Sequence, residues 1–481
     1  MGSDLTQDLA NSRERGDVNH TLRSYFSRYG KTYKESPLFG NTVINTMDFE
    51  NIQAIAALKA NDYGVEPTRK FGTPRFTGDG VLSTDGAAWK HSRALIRPTF
   101  ARREIADLDS LKMHTDRMLA LLPRDSEPTD LQPLLKRLVR LYSTILRGGK
   151  GGICIDDIQF LDVCTEFLFG KSVDSLLPAT PFDSQEFLAA FDQSLKGMVL
   201  RIQAGKIRFK YFFDKTWKRA YSKVHKFVDQ HVERALQETS ASREKGPLEN
   251  NPTNYVLLRE MAKQIRNKES LRYQIISVFI PARDATALLV SNTCFHLARH
   301  PDIWAKMRSI AVDLGDQVIT YEMLKSLVYY KYVLFESLRF QPSVSRVHRT
   351  ALRDTILPKK KKGGGGANGT SPIFVTTGTY LVSNLGALHH DKDIWGEDAD
   401  EFKPSRWEGR ITYWEFVPFY GGPRICPAQQ QALVQSAYVL LRLAQEFGEM
   451  RNRDPELDYI EEMRMVTESR NGVKVALVRG T

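Results

Sequence analysis

Apolar residues recur every three to four positions along most of the chain, a period that predicts a mainly helical protein. VINTMDFENIQAIAAL, Val43 to Leu58, reads as a helix, and a second helical run extends from Trp89 through Leu121, interrupted near Pro98. YSKVHKFVDQHVERALQE, Tyr221 to Glu238, sets Val224, Phe227, Val228 and Val232 on one side of a long amphipathic helix. SVFIPARDATALLVSNTCFHLARHP, Ser277 to Pro301, is apolar on nearly every side, the pattern of a central buried helix. Strand-like pieces are few: PIFVTTGTYLVSN near residues 372–384, and GVKVALV at the C-terminal end. The pattern therefore predicts many helices with small β-sheets. Polar, turn-rich stretches separate them: GGKGG at Gly148–Gly152, ETSASREKGPLENNPTN from Glu238, and LPKKKKGGGGANGTSP at Leu357–Pro372. The Lys359–Lys362 run reads as a solvated loop, and the sequon at Asn368 as chance, because no secretory signal accompanies it.

The chain of 481 residues is long enough for two or three domains, yet no internal repeat or compositional break divides it. A polar segment, residues 1–29, is expected to precede a single domain of residues 30–481. The opening residues carry neither a signal h-region nor a membrane span, so a native anchor is expected to be absent or removed. With 68 basic and 57 acidic residues the net charge is +11, which suits an acidic protein partner or an anionic membrane surface. The basic residues are scattered without interleaved aromatics, which argues against nucleic acid. Cys154, Cys164, Cys294 and Cys426 form no CxxC pair, which argues against a disulfide framework or structural zinc.

Several constellations carry chemistry. Arg283 and Asp284 lie inside the apolar Ser277–Pro301 run, just after Pro281. Read alone, they mark a partly exposed turn of the helix, or an acid placed to move protons in a pocket. A mid-helix proline removes one hydrogen bond and bends the helix there. Glu336 and Arg339 share a helical face among Leu334, Phe335, Leu338 and Phe340, which suggests a buried ion pair. Arg406, bracketed by Phe402, Pro404 and Trp407, can complete a network with them. Trp89 and Arg93, four apart, are either a core indole beside a surface cation or two donors for an anionic group. In FVPFYGGPRICPAQQQAL, Gly421 and Gly422 let backbone lie flat against something large, and Cys426 follows Arg424 at the start of a helix. That setting is expected to lower the thiol pKa. A lone thiolate with no second Cys or His nearby suits a single axial bond to haem rather than zinc or iron–sulfur coordination.

These pieces, in this order, resemble the cytochrome P-450 haem-thiolate monooxygenases from about Gly30 to the C-terminus. FYGGPRICPA matches the family's F-x-x-G-x-R-x-C-x-G loop through Phe419, Gly422, Arg424 and Cys426; Glu336 and Arg339 match E-x-x-R. PSRW, WKHSR and PARDAT match three further family segments. GVLSTDGAAWKHSRALIRPTF, FLFGKSVDSL and DADEFKPSRW look most like the fungal branch that includes alkane and fatty-acid hydroxylases.

The resemblance implies a triangular helical prism with haem b held between a long distal helix and the cysteine loop. It assigns Cys426 as iron ligand, and Trp89, Arg93, Arg349 and Arg424 as partners of the haem propionates. Glu336, Arg339 and Arg406 become a structural triad, and Asp284, with Thr286, the distal proton-delivery group. A substrate pocket is expected around Phe279, Ala282, Ala285, Val344 and Val347. The implied partners are dioxygen, a lipophilic small molecule and an NADPH-dependent flavoprotein reductase. The implied setting is a monomer at the cytoplasmic face of the endoplasmic reticulum membrane.

The chain departs from the family pattern at telling places. The distal hydroxyl position holds Ala285, with the hydroxyl one residue later on Thr286, a rotation of about 100° on a helix. Pro281 and Ala282 replace small residues, Ala428 replaces the loop's second glycine, and Ser405 replaces a glutamate. Residues 134–157 look like extra sequence. Three outcomes follow: oxygen insertion into a C–H bond; desaturation, cyclisation, coupling or rearrangement on a weakened oxygen side; or haem binding without catalysis.

Overall fold

The computed structural model describes residues 2–36, 41–72, 74–100, 108–123, 126–136, 165, 168–169, 182–204, 209, 211–244, 257–358, 370–463 and 465–480. The Gly148–Gly152 loop, the 137–157 part of the extra segment, Cys154, Cys164, the Lys359–Lys362 run and Asn368 lie outside them.

The helix Lys268–Leu297 is the axis of the fold. Asn267 starts it, its side chain accepting the Ser270 N–H at 2.8 Å. Its N-terminal half, with Leu271, Ile275 and Ile276 fully buried, packs into a cluster built by the helices Phe182–Ala204 and Lys215–Glu244. The valines expected on the apolar side of the second of these, Val224, Val228 and Val232, are buried there. Its C-terminal half sends Leu289, Val290, Cys294 and Leu297 into a larger cluster. The partners there come from Pro301–Asp313, Val328–Phe340 and Gln429–Glu446. Each fully buried aliphatic side chain contributes about 1.5–3 kcal/mol of transfer free energy, so the apolar character of this helix is what fixes it at the centre. Among the described residues it alone is long and apolar enough to cross a membrane, and most of it is buried inside the protein.

The strands form small separate sheets, as the pattern predicted. The largest has five strands in the order Thr32–Glu35, Val43–Thr46, Tyr380–Asn384, Arg346–Ala351, Tyr63–Gly64. A three-stranded sheet joins Pro128–Asp130, Lys474–Arg479 and Phe447–Asn452. Two hairpins, Thr355–Leu357 with Ile373–Val375 and Glu461–Met463 with Thr467–Ser469, complete the set.

Two expectations change. Val43–Leu58 is not one helix: Val43–Thr46 is a strand parallel to Tyr380–Asn384, and helix begins only at Phe49. β-branched Val43 and Ile44 gain cross-strand partners, and Asp48 caps the new helix by accepting the Asn51 N–H at 2.9 Å. Nor does the domain begin at Gly30. Val18–Tyr29 is a helix whose Val18, Leu22, Tyr25 and Phe26 are buried against Leu385 and Leu388. Asn19 donates its backbone N–H and side-chain amide to the Glu461 carboxylate at 3.1 and 2.8 Å, and Glu461 N–H returns to the Gly16 carbonyl at 2.7 Å. Arg470 donates to the carbonyls of Arg13 and Glu14, both at 2.6 Å. The Val18–Tyr29 helix and the turn before it are thus packed against the rest of the described chain.

Candidate active site

The cysteine loop is shaped by its backbone. Tyr420 donates to the Val417 carbonyl at 2.9 Å and Cys426 to the Phe419 carbonyl at 3.0 Å, folding Phe416–Cys426 back on itself. Tyr420 and Gly422 are both left-handed, with φ of 61° and 66°. At Gly422 a Cβ would stand 2.0 Å from the Ala56 carbonyl oxygen, so glycine is required by both conformation and space. A tight turn at Gly422–Arg424 then presents Cys426 just ahead of the helix Gln429–Glu446. Phe419 is partly buried against the main core cluster, and Ala428 sits at the N-cap of the helix.

Four arginines gather beside this loop. Arg93, on the helix Gly86–Ile96, donates to the Ile425 carbonyl at 2.7 Å. Arg424 donates to Asp85 Oδ1 at 2.6 Å and the Thr84 carbonyl at 2.8 Å, and its guanidinium lies 4.4 Å from the centre of the Trp89 ring. Arg349 lies 4.8 Å from the centre of the Tyr420 ring. Arg69, which the sequence reading missed, donates to the Leu82 carbonyl at 2.6 Å. Burial pushes Arg69 and Arg424 down to about 10, and the charge of Arg349 adds to the shift of each. Asp85 is the carboxylate that meets Arg424, and it also accepts the N–H groups of Val65 and Glu66. Nearby Glu66 is engaged by Lys70 at 2.7 Å. This corner therefore holds more positive charge than its own carboxylates balance, the setting that favours a bound anion.

The thiol itself behaves otherwise than expected. Burial raises the Cys426 pKa, and the Ala428 N–H and the Arg93 charge only partly oppose it. The physical reason is that a half-buried sulfur loses hydration, while Arg93 spends its hydrogen bond on Ile425. Among the described residues no group of three His, Cys, Asp or Glu side chains is placed to hold a metal ion. A single sulfur beside an excess of arginine fits a metal macrocycle that would take one thiolate ligand and carries its own carboxylates. Cys294, by contrast, is fully buried, its thiol pushed up to about 12, an inert core residue.

The middle of the Lys268–Leu297 helix is less buried than its two halves. Pro281 is exposed and Ala282, Asp284 and Ala285 are partly accessible, whereas Ile280 before them and Ala287 after them are buried. The helix remains α-helical from end to end, so Pro281 does not rewind it. Thr286 is accordingly turned away from the Ala285 direction and is buried at 9% exposure. Phe279 does not line an opening: its ring is 1% exposed, with centroids of Phe191 and Phe187 at 4.7 and 5.7 Å. Its register on the helix points it into the aromatic core instead. Val344 is exposed, and Val347 packs against the cluster containing Val417 and Tyr420.

Glu336, Arg339 and Arg406 meet in one hydrogen-bonded network. Glu336 and Arg339 are both fully buried and joined by two hydrogen bonds of 2.8 and 3.0 Å. Arg406 Nε reaches Glu336 Oε1 at 3.0 Å. The sequence did not reveal two further donors to the same carboxylate, the Lys403 N–H at 2.9 Å and the Trp407 indole at 3.0 Å. Arg339 Nη1 also donates to the carbonyls of His389 and Ala399, both at 2.8 Å. Paired charges with every direction filled are the condition under which such a network is stable in a core.

The family model for cytochrome P-450 matches residues 159–475. Over the whole chain, the cytochrome P-450 monooxygenase iccC of Talaromyces variabilis is 36% identical, with 90% of its own length covered. The cytochrome P-450 monooxygenase apdE of Emericella nidulans is 35% identical over the whole chain, with 87% of its length covered. The cytochrome P-450 monooxygenase fsdH of Fusarium heterosporum is 35% identical over 95% of the chain and 77% of its own length. With these relatives and this mainly helical architecture, the chain belongs to the cytochrome P-450 family, as a haem-thiolate monooxygenase that requires dioxygen and a redox partner.

Proposed function

We propose that Cys426 is the thiolate ligand of haem b and that the enzyme inserts oxygen into a C–H bond of a lipophilic small molecule. Fungal secondary metabolites or fatty-acid-like compounds are the substrate class. The observation that carries this is the single sulfur set beside Arg69, Arg93, Arg349 and Arg424, with too few carboxylates to balance them. When bound, haem supplies oxygen activation, which an axial thiolate favours. Trp89, Arg93, Arg349, Arg424 and Arg69 would hold its propionates. Gly422 and Phe419 shape the loop that aims the sulfur, and the Glu336–Arg339–Arg406 network supports that loop from behind. Asp284, accessible in mid-helix, would pass protons into the pocket, and Ala282, Ala285, Val344 and Val347 would line it. An NADPH-dependent flavoprotein reductase is the electron donor, and the protein works as a monomer at the cytoplasmic face of the endoplasmic reticulum membrane.

A second outcome is favoured by one observation. The uninterrupted α-helix leaves Ala285 where the family carries a hydroxyl and Thr286 buried. Weaker proton delivery favours desaturation, cyclisation, coupling or rearrangement. Carbon monoxide added to the reduced protein should give the thiolate-type Soret band, and Cys426→Ser should abolish it; a variant that kept the band would sink the ligand assignment. Turnover under labelled dioxygen then separates the outcomes, since label in the product means oxygen insertion. Its absence with a true substrate means one of the alternatives.

A further inference from the structure

We infer that His389 is a positioning residue: its imidazole ties the cysteine loop to the buried Glu336–Arg339 network and so sets where the Cys426 sulfur stands. The inference rests on the reading of Cys426 as the haem ligand.

His389 is held at three points. Its N–H donates to the Leu385 carbonyl at 2.9 Å, its carbonyl accepts Arg339 Nη1 at 2.8 Å, and its Nε2 accepts the Val417 N–H at 3.1 Å. The residue is fully buried, with its ring centroid 5.2 Å from that of Phe416. An Nε2 that accepts requires the proton on Nδ1, and the Leu338 carbonyl is the backbone group that faces the ring besides Val417. Burial, then the charges of His390 and Arg339, hold this imidazole neutral by lowering its pKa to about 3, which keeps Nε2 an acceptor across the physiological range.

Val417 is where the loop leaves the core. From it the internal bonds run Val417 carbonyl to Tyr420 N–H and Phe419 carbonyl to Cys426 N–H. The far end is held by Arg93 on the Ile425 carbonyl. The loop is therefore held by Arg93 next to the cysteine and by His389 at the upstream end, with Arg424 reaching Asp85 and Thr84 between them. Arg339 joins His389 to the Glu336 carboxylate within one residue. Loss of the His389 acceptor leaves a buried Val417 N–H unpaired and frees the upstream end, while Cys426 and its neighbours are chemically unchanged.

Four variants of the haem-loaded protein test this: His389→Leu, His389→Asn, His389→Gln and, as a control at another buried histidine, His296→Leu. The Gln amide oxygen reaches the Nε2 position, whereas the Asn oxygen falls at the Nδ1 position. Leu and Asn should speed hydrogen exchange at the Val417 amide by about tenfold or more, the factor for about 1.4 kcal/mol within the range for an unpaired buried amide. They should also move part of the carbon monoxide band away from the thiolate-type position. Gln should restore both, and His296→Leu should change neither. Equal Val417 exchange in all four and the wild type, or an equal response in His296→Leu, would overturn the inference. If the Leu variant does not accumulate, the Gln and Asn pair decides alone. Should Cys426→Ser keep the thiolate-type band, the ligand reading fails, a result independent of Val417 exchange.

Discussion

Replacing Glu336 by Gln keeps the shape of the buried network and removes its centre of charge. The carboxylate accepts Arg339 Nη2, Lys403 N–H and Arg406 Nε on Oε1, at 2.8, 2.9 and 3.0 Å, and Arg339 Nε and the Trp407 indole on Oε2, both at 3.0 Å. An amide turns one of these acceptors into a donor. In the better orientation its NH2 then faces the two donors of the Oε2 side, and in the other it faces three. At least two buried N–H groups are left unpaired, at about 1–3 kcal/mol each. Two guanidinium groups also lose their shared counter-charge, and breaking one partner of a buried ion pair costs about 3–5 kcal/mol. We expect Glu336→Gln to lose about 4 kcal/mol, about a quarter or more of the 5–15 kcal/mol typical of a folded protein. Trp407→Phe deletes one donor and leaves the carboxylate its other partners, so it should lose only about 1 kcal/mol. Urea unfolding of the haem-loaded proteins, compared by midpoint at a common slope, measures both. A Glu336→Gln protein within about 0.5 kcal/mol of wild type, or a Trp407→Phe protein just as unstable, would refute the carboxylate as the hub.

Three further expectations follow from the same geometry. Gly422→Ala must place a Cβ against the Ala56 carbonyl at a left-handed residue, where the conformation alone costs about 1–2 kcal/mol, so the ratio of Soret to protein absorbance should collapse. His389 and His390 are held near pKa 3, and His296 well below its ordinary 6.5, in each case chiefly by burial. Because these folded values lie below the unfolded one, the stability is complete above about pH 6.5 and is lost as pH falls toward 3, at up to about 1.4 kcal/mol per pH unit per histidine. Urea midpoints measured from pH 7 to 4 should fall along that window, and less steeply in His390→Gln. Arg69→Ala should release haem to a scavenging apoprotein about tenfold faster, the loss of one charged hydrogen bond of about 1.5 kcal/mol, while relieving repulsion with Arg349 and Arg424.

What local spacing made legible was a set of candidate residues and one contact pattern. Glu336 and Arg339, three apart among apolar neighbours, read as a buried pair because a helix places them on one face. Cys426 stood out because no second metal-binding residue accompanied it. What stayed hidden depends on distant contacts. Arg69 sits in an ordinary-looking basic dipeptide, and only the fold brings it to Arg349 and Arg424. His389 lies in a run of two histidines that spacing cannot interpret, since its partner Val417 is 28 residues away. The strand at Val43–Thr46 was read as helix because one of its two partners, Tyr380–Asn384, is far along the chain. The thiol pKa was misjudged for a related reason: the nearby cation was visible, but the burial that outweighs it was not.

The clasp between the first helices and the Glu461–Ser469 hairpin has a consequence in time. Asn19 and Glu461 are separated by 442 positions. At synthesis rates of about 5–20 residues per second, the residue that receives the Asn19 amide emerges roughly 20–90 s after it. The cysteine loop, at Cys426, also leaves the ribosome near the end of that interval. Until then the helix Val18–Tyr29 has only the early part of its cluster, Tyr33, Met47, Ile52 and Ala56, and lacks Leu385, Leu388, Val417 and Tyr420. Closure of this clasp, and acceptance of the cofactor, therefore wait until the residues around Cys426 and Glu461 have been made.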